Sequence, residues 1–116
     1  MTCKNLVLPT VDIASCISSL QYISENEALT LFEQLLLNVR QGVLLAEIPD
    51  IEKYEEAVRY RGGTLNYGAE DKFKHTYYSS KLFDDLAKDH SFEICEVTAK
   101  LGNQSSFRWS RYFRKL

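Results

Sequence analysis

Arg108, Arg111, Arg114 and Lys115 crowd the last residues of the chain, with Trp109, Tyr112 and Phe113 between them and Lys100 a little before. Guanidinium and ammonium groups at this density are the side chains that contact phosphate. Residues 98–116 hold five bases and no acid, whereas residues 1–97 hold nine bases against sixteen acids. A chain of net charge −2 thus keeps its positive charge in one terminal element, the footprint of a surface that meets a polyanion. The other candidates for chemistry are weaker. His75 and His90 stand in no ligand spacing, and Asp84, Asp85 and Asp89 read as the charged face of a helix. Cys3, Cys16 and Cys95 form neither a redox pair nor a metal-binding set. Gly62-Gly63 is followed by no G-K-[ST], and no G-x-G-x-x-G is present. No Ser or Cys sits in a nucleophile motif. These residues read as a protein that is not an enzyme and uses no cofactor and no metal.

The elements that would position the basic residues are two short helices and a turn. Ile94, Val97 and Leu101 recur on one helical face, and Gly102 follows where a helix can end in the left-handed conformation. Ser105 or Ser106 can cap the next helix. Trp109 and Phe113, four residues apart, would then pack back on Leu101 and Val97. Arg108, Arg111 and Arg114 would face outward, Arg111 being rotated about 200° from both aromatics. A supporting helix would hold Leu82, Phe83 and Leu86, closed by Asp89-His90, with Ser91 capping the helix after it.

Val97-Thr98-Ala99-Lys100-Leu101-Gly102 and Trp109-Ser110-Arg111-Tyr112-Phe113-Arg114-Lys115 resemble the AraC-type helix-turn-helix of bacterial transcription regulators, whose helices read V-A-x-x-L-G and F-S-R-x-F-K-K. The resemblance covers residues 80–116. It implies a DNA-binding site in which Lys100, Arg108, Arg114 and Lys115 contact phosphate. Asn103, Gln104, Ser105, Ser106 and Arg108, near the start of the second helix, would reach base edges, with Arg111 beside them.

Upstream, Ile13, Cys16, Ile17 and Leu20 fit one apolar stripe of a helix capped by Thr10. Ser24-Glu25-Asn26-Glu27 is a capping box. It opens a helix over residues 25–39 that should bury Phe32, Leu35, Leu36 and Val39. Leu31 and Leu37 widen its apolar arc and are candidates for contact with a partner chain. Residues 43–48, Val-Leu-Leu-Ala-Glu-Ile, are either a short strand or a buried helical turn. Asp50 can cap a helix through Ile51, Tyr54, Ala57 and Val58. Arg61 to Gly68 reads as a turn, hairpin or wing. Phe73 and Tyr77 read as buried in a helix whose lysines point out.

The length suits one domain, and an apolar fraction of 45% suits a folded core. No apolar run approaches a membrane span, and no secretory leader is visible, so the reading is cytoplasmic. Taken together, the chain reads as mainly α. It would be a single small helical domain over residues 1–116 with a C-terminal helix-turn-helix and a short hairpin or strand near 42–48 and 62–68. Residues 1–61 would form a dimerisation or partner-binding part and residues 70–116 the helix-turn-helix part. The function expected is a small transcriptional regulator on double-stranded DNA, acting as a homodimer or with a protein partner. The alternative is a protein–protein interaction module, a regulator or inhibitor of a larger protein, that binds no DNA.

Overall fold

Residues 108–115 alternate rather than spiral. In the computed structural model, which describes residues 10–17, 23–60, 76–97 and 107–116, they form a strand, and so does the segment Phe92–Glu96 before them. The expected mainly α fold is therefore corrected to a mixed α/β one. In chain order the elements are β1 (Val11–Ile17), α1 (Glu25–Asn38), β2 (Val39–Pro49), a single 3-10 turn (Ile51–Lys53), α2 (Tyr54–Tyr60), α3 (Ser80–Asp89), β3 (Phe92–Glu96) and β4 (Arg108–Lys115). The four strands make one sheet in the order β1-β2-β4-β3. β1 and β2 run parallel, while β4 is antiparallel to both of its neighbours.

The mistaken helix has a simple origin. Residues i and i+4 share a face in a helix of period 3.6 and also in a strand of period 2. Trp109 and Phe113 are buried as expected, at 5% and 0% exposure. Arg111 lies between them, and only the strand places it on their side. Tyr, Phe and Trp at this density also favour a pleated surface. A similar ambiguity affects β1: Val11, Ile13 and Ile17 are β-branched, and their segment is a strand rather than the expected helical stripe. The lower half of the anticipated helix-turn-helix, residues 98–106, lies outside the described residues, as does the hairpin near 62–68.

α1 follows its sequence closely. Ser24 accepts a hydrogen bond from the Glu27 backbone N–H at 3.2 Å, and Ala28, Phe32 and Leu36 are buried. Leu35 and Leu31 are half-buried against the core, whereas Leu37 is 59% exposed. The helix passes into β2 without a loop: Val39 is both its C-cap and the first strand residue, and its N–H still reaches the Leu35 carbonyl. Asp50 caps the next turn through the Glu52 N–H at 3.0 Å. Ser91, expected to cap a helix, instead takes a left-handed φ of 65° and turns the chain from α3 into β3.

α1 and α3 pack on the same face of the sheet. Phe32 stands 5.3 Å from Phe83 and 4.8 Å from Phe113, ring centre to ring centre, and Phe83 stands 5.4 Å from Trp109. Val43, Leu45 and Ile48 of β2 complete this core. The strand register gathers Ile13, Ile17, Gly42, Leu44, Ala46 and Tyr112 on the other face. There the Tyr112 hydroxyl lies so close over Gly42 that a methyl group at that position would come within 2.5 Å of it, so glycine is what the approach requires. Among the described residues no helix is long and apolar enough to cross a membrane.

Candidate functional site

In open α/β sheets the ligand crevice lies outside the carboxyl ends of the parallel strands. Here those ends are Ile17 of β1 and the stretch from Ala46 to Pro49 of β2, the last parallel pair being Ile17 with Ala46. At that level β2 leaves its register with β4, which slips between Leu45 and Ile48. Glu47 forms the irregularity. It takes a left-handed φ of 57° and is 4% exposed, the one buried charged residue among those described. Its backbone N–H donates to the Ser110 hydroxyl at 3.0 Å, which pins the bulge to β4. A non-glycine residue in this conformation costs free energy, and such strain gathers at functional sites.

Tyr78 ties the surrounding segments together. Its N–H donates to the Pro49 carbonyl at 2.8 Å, and its own carbonyl accepts from Ile51 N–H at 3.1 Å and from Trp109 Nε1 at 3.2 Å. Its hydroxyl donates to the Ile23 carbonyl at 2.6 Å. One side chain and one peptide thus fix the segment entering α1, the exit of β2 and the start of β4. Burial pushes the Tyr78 phenol up to about 12, the charges of Glu25 and Glu27 add to the rise, and a hydrogen bond with Thr76 opposes it. The unfolded phenol ionises near 10. The folded state therefore keeps its full stability below that pH and loses it as pH rises through about 12, by roughly 2–3 kcal/mol in total. Urea-unfolding free energies measured at rising alkaline pH should show this slope in the natural chain and lose it in Tyr78→Phe. An equal slope in both would refute the assignment.

The polar residues at the ends that meet here are Ser24, Glu25 and Glu27 at the start of α1, Asp50 after β2, and Ser110 and Arg108 on β4, Arg108 being the register partner of Pro49. Carboxylates at the first turn of α1 already occupy the positive end of its dipole.

Those of the expected DNA-binding residues that the structure describes, Arg108, Arg111, Arg114 and Lys115, do not form one surface. Lys100, Asn103, Gln104, Ser105 and Ser106 lie outside the described residues. Strand alternation puts Arg108 and Arg114 on one side of β4 and Arg111 and Lys115 on the other. Arg114 pairs with Glu93 across the strands. Arg111 is turned inward: its Nε lies 3.7 Å from Asp84 Oδ1 and its guanidinium 5.8 Å from the Trp109 ring centre. Burial holds the Asp84 carboxyl above the usual carboxylate range, and the Arg111 charge partly counters it. The pair is a structural link between α3 and β4. Asp85 pairs instead with Lys81 at 3.0 Å, and His90 with Glu33 at 3.1 Å. His75 lies outside the described residues. Among the described residues no group of His, Cys, Asp and Glu is placed to hold a metal. Leu31 supports the core and Leu37 stands free on α1.

Sequence reasoning passed over Glu47, Ser110 and Tyr78. The signal for Glu47 was the apolar run of residues 43–46 ended by Glu-Ile-Pro-Asp. It has the composition of a buried parallel strand, and a helix with a β-branched segment before it completes a β-α-β unit.

No family model matches the chain, and no curated protein matches it. Solved structures do. The magnesium protoporphyrin IX methyltransferase (ChlM) from Synechocystis PCC 6803, with bound SAH, superimposes with a TM-score of 0.60 at 14% identity, over 95% of this chain and 47% of that one. An O-methyltransferase family protein from Burkholderia thailandensis gives 0.58 at 11% identity, over 90% of this chain and 30% of that one. The small RNA methyltransferase HEN1 gives 0.60 at 19%, over 93% and 14%. The chain thus spans less than half the length of each of these methyltransferases. The likeness is at odds with the expected helix-turn-helix regulator, with the expectation that the chain is not an enzyme, and with the expected double-stranded DNA partner. What these structures share with the chain is a methyltransferase-type α/β fold.

Proposed function

We propose that this chain is one half of a methyltransferase-type site, the half without the cofactor's glycine-rich turn, and that it presents an acceptor substrate at the carboxyl ends of β1 and β2. The observation that carries this reading is the superposition of 95% of the chain, both its parallel and its antiparallel strands, on 47% of a methyltransferase with bound SAH. S-adenosylmethionine would supply an electrophilic methyl group. The described residues do not fit that cofactor by themselves. A nucleotide-type ligand needs a glycine-rich strand–turn–helix against which the backbone can approach it, and the sequence has none. What this chain supplies is acceptor groups, the Ser110-latched bulge at Glu47 and the Tyr78 brace. They can hold a hydroxyl- or amine-bearing substrate in one orientation, which is the larger part of what a methyl acceptor requires.

The test is an amide-shift titration of the isotopically labelled chain with S-adenosylhomocysteine. The shifts should be confined to Ile17, Ile23, Ser24 and residues 47–50, at affinities no tighter than about millimolar, because one wall of a site binds weakly. Shifts confined to the groove between α1 and α3, lined by Leu29, Glu33, Leu82 and Leu86, would overturn the reading. So would their absence at millimolar ligand.

A further inference from the structure

We infer that the groove between α1 and α3 is a docking site for an amphipathic, basic helix of a partner protein. Leucine-sized side chains of that helix seat on the groove floor, and its lysines or arginines meet an acidic rim. The inference stands apart from the methyltransferase-type reading. The groove lies on the outer side of the helix layer, while Phe32 and Phe83 of the same two helices face the sheet.

Three observations carry it. First, the groove holds about 370 Å³ and its floor is apolar. Leu29 and Leu86 are half-buried there, and Leu82 is 41% exposed. Leu37, 59% exposed, continues the α1 wall one turn past Glu33. Covering leucines at this exposure is favourable. Second, both walls repeat at one helical turn, Leu29 with Glu33 and Leu82 with Leu86. A helix laid along such a seam offers side chains at i and i+4 in the same repeat, ridge into groove. Third, the rim is acidic on both walls, with Glu33 on α1 and Asp85 and Asp89 on α3. Two of these charges are partly offset, Asp85 by Lys81 at 3.0 Å and Glu33 by His90 at 3.1 Å. No cation among the described residues is paired with Asp89.

Asp89 sets the sign of the partner's charge. It stands in the last turn of α3, at the negative end of the helix dipole, where a carboxylate is disfavoured and a cation is favoured. Lys88, the base of that turn, acts on Asp84 instead. A lysine or arginine brought by the partner meets a carboxylate and the negative pole of α3 together. Because carboxylates stand on both walls, bases belong on both flanks of the partner's apolar stripe. A partner with acids in those places is repelled along the whole rim.

Two synthetic helices of about sixteen residues test this by fluorescence anisotropy. One has leucine at every third or fourth position and lysine between, and the other has glutamate in place of each lysine. The lysine helix should bind at least about tenfold tighter than its twin, with amide shifts of the labelled chain at residues 29–33 and 82–89. Leu82→Ser should weaken that binding at least about tenfold and leave the urea midpoint unchanged, since the side chain is exposed. Asp85→Lys with Asp89→Lys should reverse the preference between the two helices. Glu52→Lys with Glu55→Lys, the same change of charge in the 3-10 turn and α2, should not reverse it. Equal affinity for the twins, reversal by both charge changes, shifts elsewhere, or no binding at millimolar peptide overturns the inference. So does sedimentation showing the chain alone as a dimer that Leu82→Ser dissociates, because a second copy then occupies the groove.

Discussion

Phe32→Ala should cost about 3–5 kcal/mol of folding stability. Phe32 is 1% exposed at the centre of the core, with Phe83 at 5.3 Å and Phe113 at 4.8 Å. Truncation removes a large buried area and both ring contacts, and it leaves a cavity that three elements line. The neighbours come from a helix and a strand anchored elsewhere, so the space cannot collapse cheaply. Domains of this size hold about 5–15 kcal/mol in all, so the variant should be close to unfolded at modest urea. The single tryptophan of the chain, Trp109, reports the transition by fluorescence. Phe32→Leu should recover most of the loss. A loss below about 1 kcal/mol for Phe32→Ala would mean that the helix layer does not pack on β4 as described.

Trp109→Ala should be as damaging, about 3–5 kcal/mol, for partly different reasons. The indole packs on Phe83, carries the Arg111 guanidinium on its face and donates Nε1–H to the Tyr78 carbonyl. Its loss empties the core and also loosens the Arg111–Asp84 link and the Tyr78 brace. Trp109→Phe should cost less, since it keeps an aromatic ring and loses the hydrogen bond, worth about 0.5–1.5 kcal/mol, along with the remaining indole packing. Because both variants remove the fluorophore, circular dichroism in urea is the measurement. Equal losses for Phe and Ala would show that the indole N–H and not the ring volume holds the site together.

These two positions show what was legible. Phe32 was named for burial from the capping box and the spacing of α1, both local signals, and the helix stands almost where they put it. Trp109 and Phe113 were also named for burial, but within the wrong element. A four-residue spacing cannot separate a helix face from a strand face, so burial survived the error while Arg111, halfway between them, was assigned outward and lies inward. Residues 43–48 of β2 fit a strand or a helical turn equally in the sequence, because a short apolar run carries no period. The site was the least legible part. Glu47 and Ser110 meet only because β2 pairs with β4 across more than sixty residues, Tyr78 joins the same strands through Pro49 and Trp109, and no local pattern encodes those contacts. The positive charge of the terminal segment was real, but alternation along β4 splits it between two faces, where a helix would have gathered it.

The direct passage from α1 to β2 has a consequence for how the chain tolerates change. Helix and strand count residues differently: one more residue turns a helix by about 100° and turns a strand over completely. Where a loop intervenes, it absorbs the difference. At Asn38 and Val39 there is no loop, Val39 serves both elements at once, and the nearest slack is the register shift of β2 against β1 between Val39 and Gly42. A residue inserted or deleted there must swing Phe32 out of the core, send Val43 and Leu45 to the opposite side of the sheet, or be taken up in the short irregular stretch between Val39 and Gly42. The joint therefore locks two periodicities in phase. A change of length at this joint is therefore confined to a stretch of a few residues, where a surface loop would spread it over many.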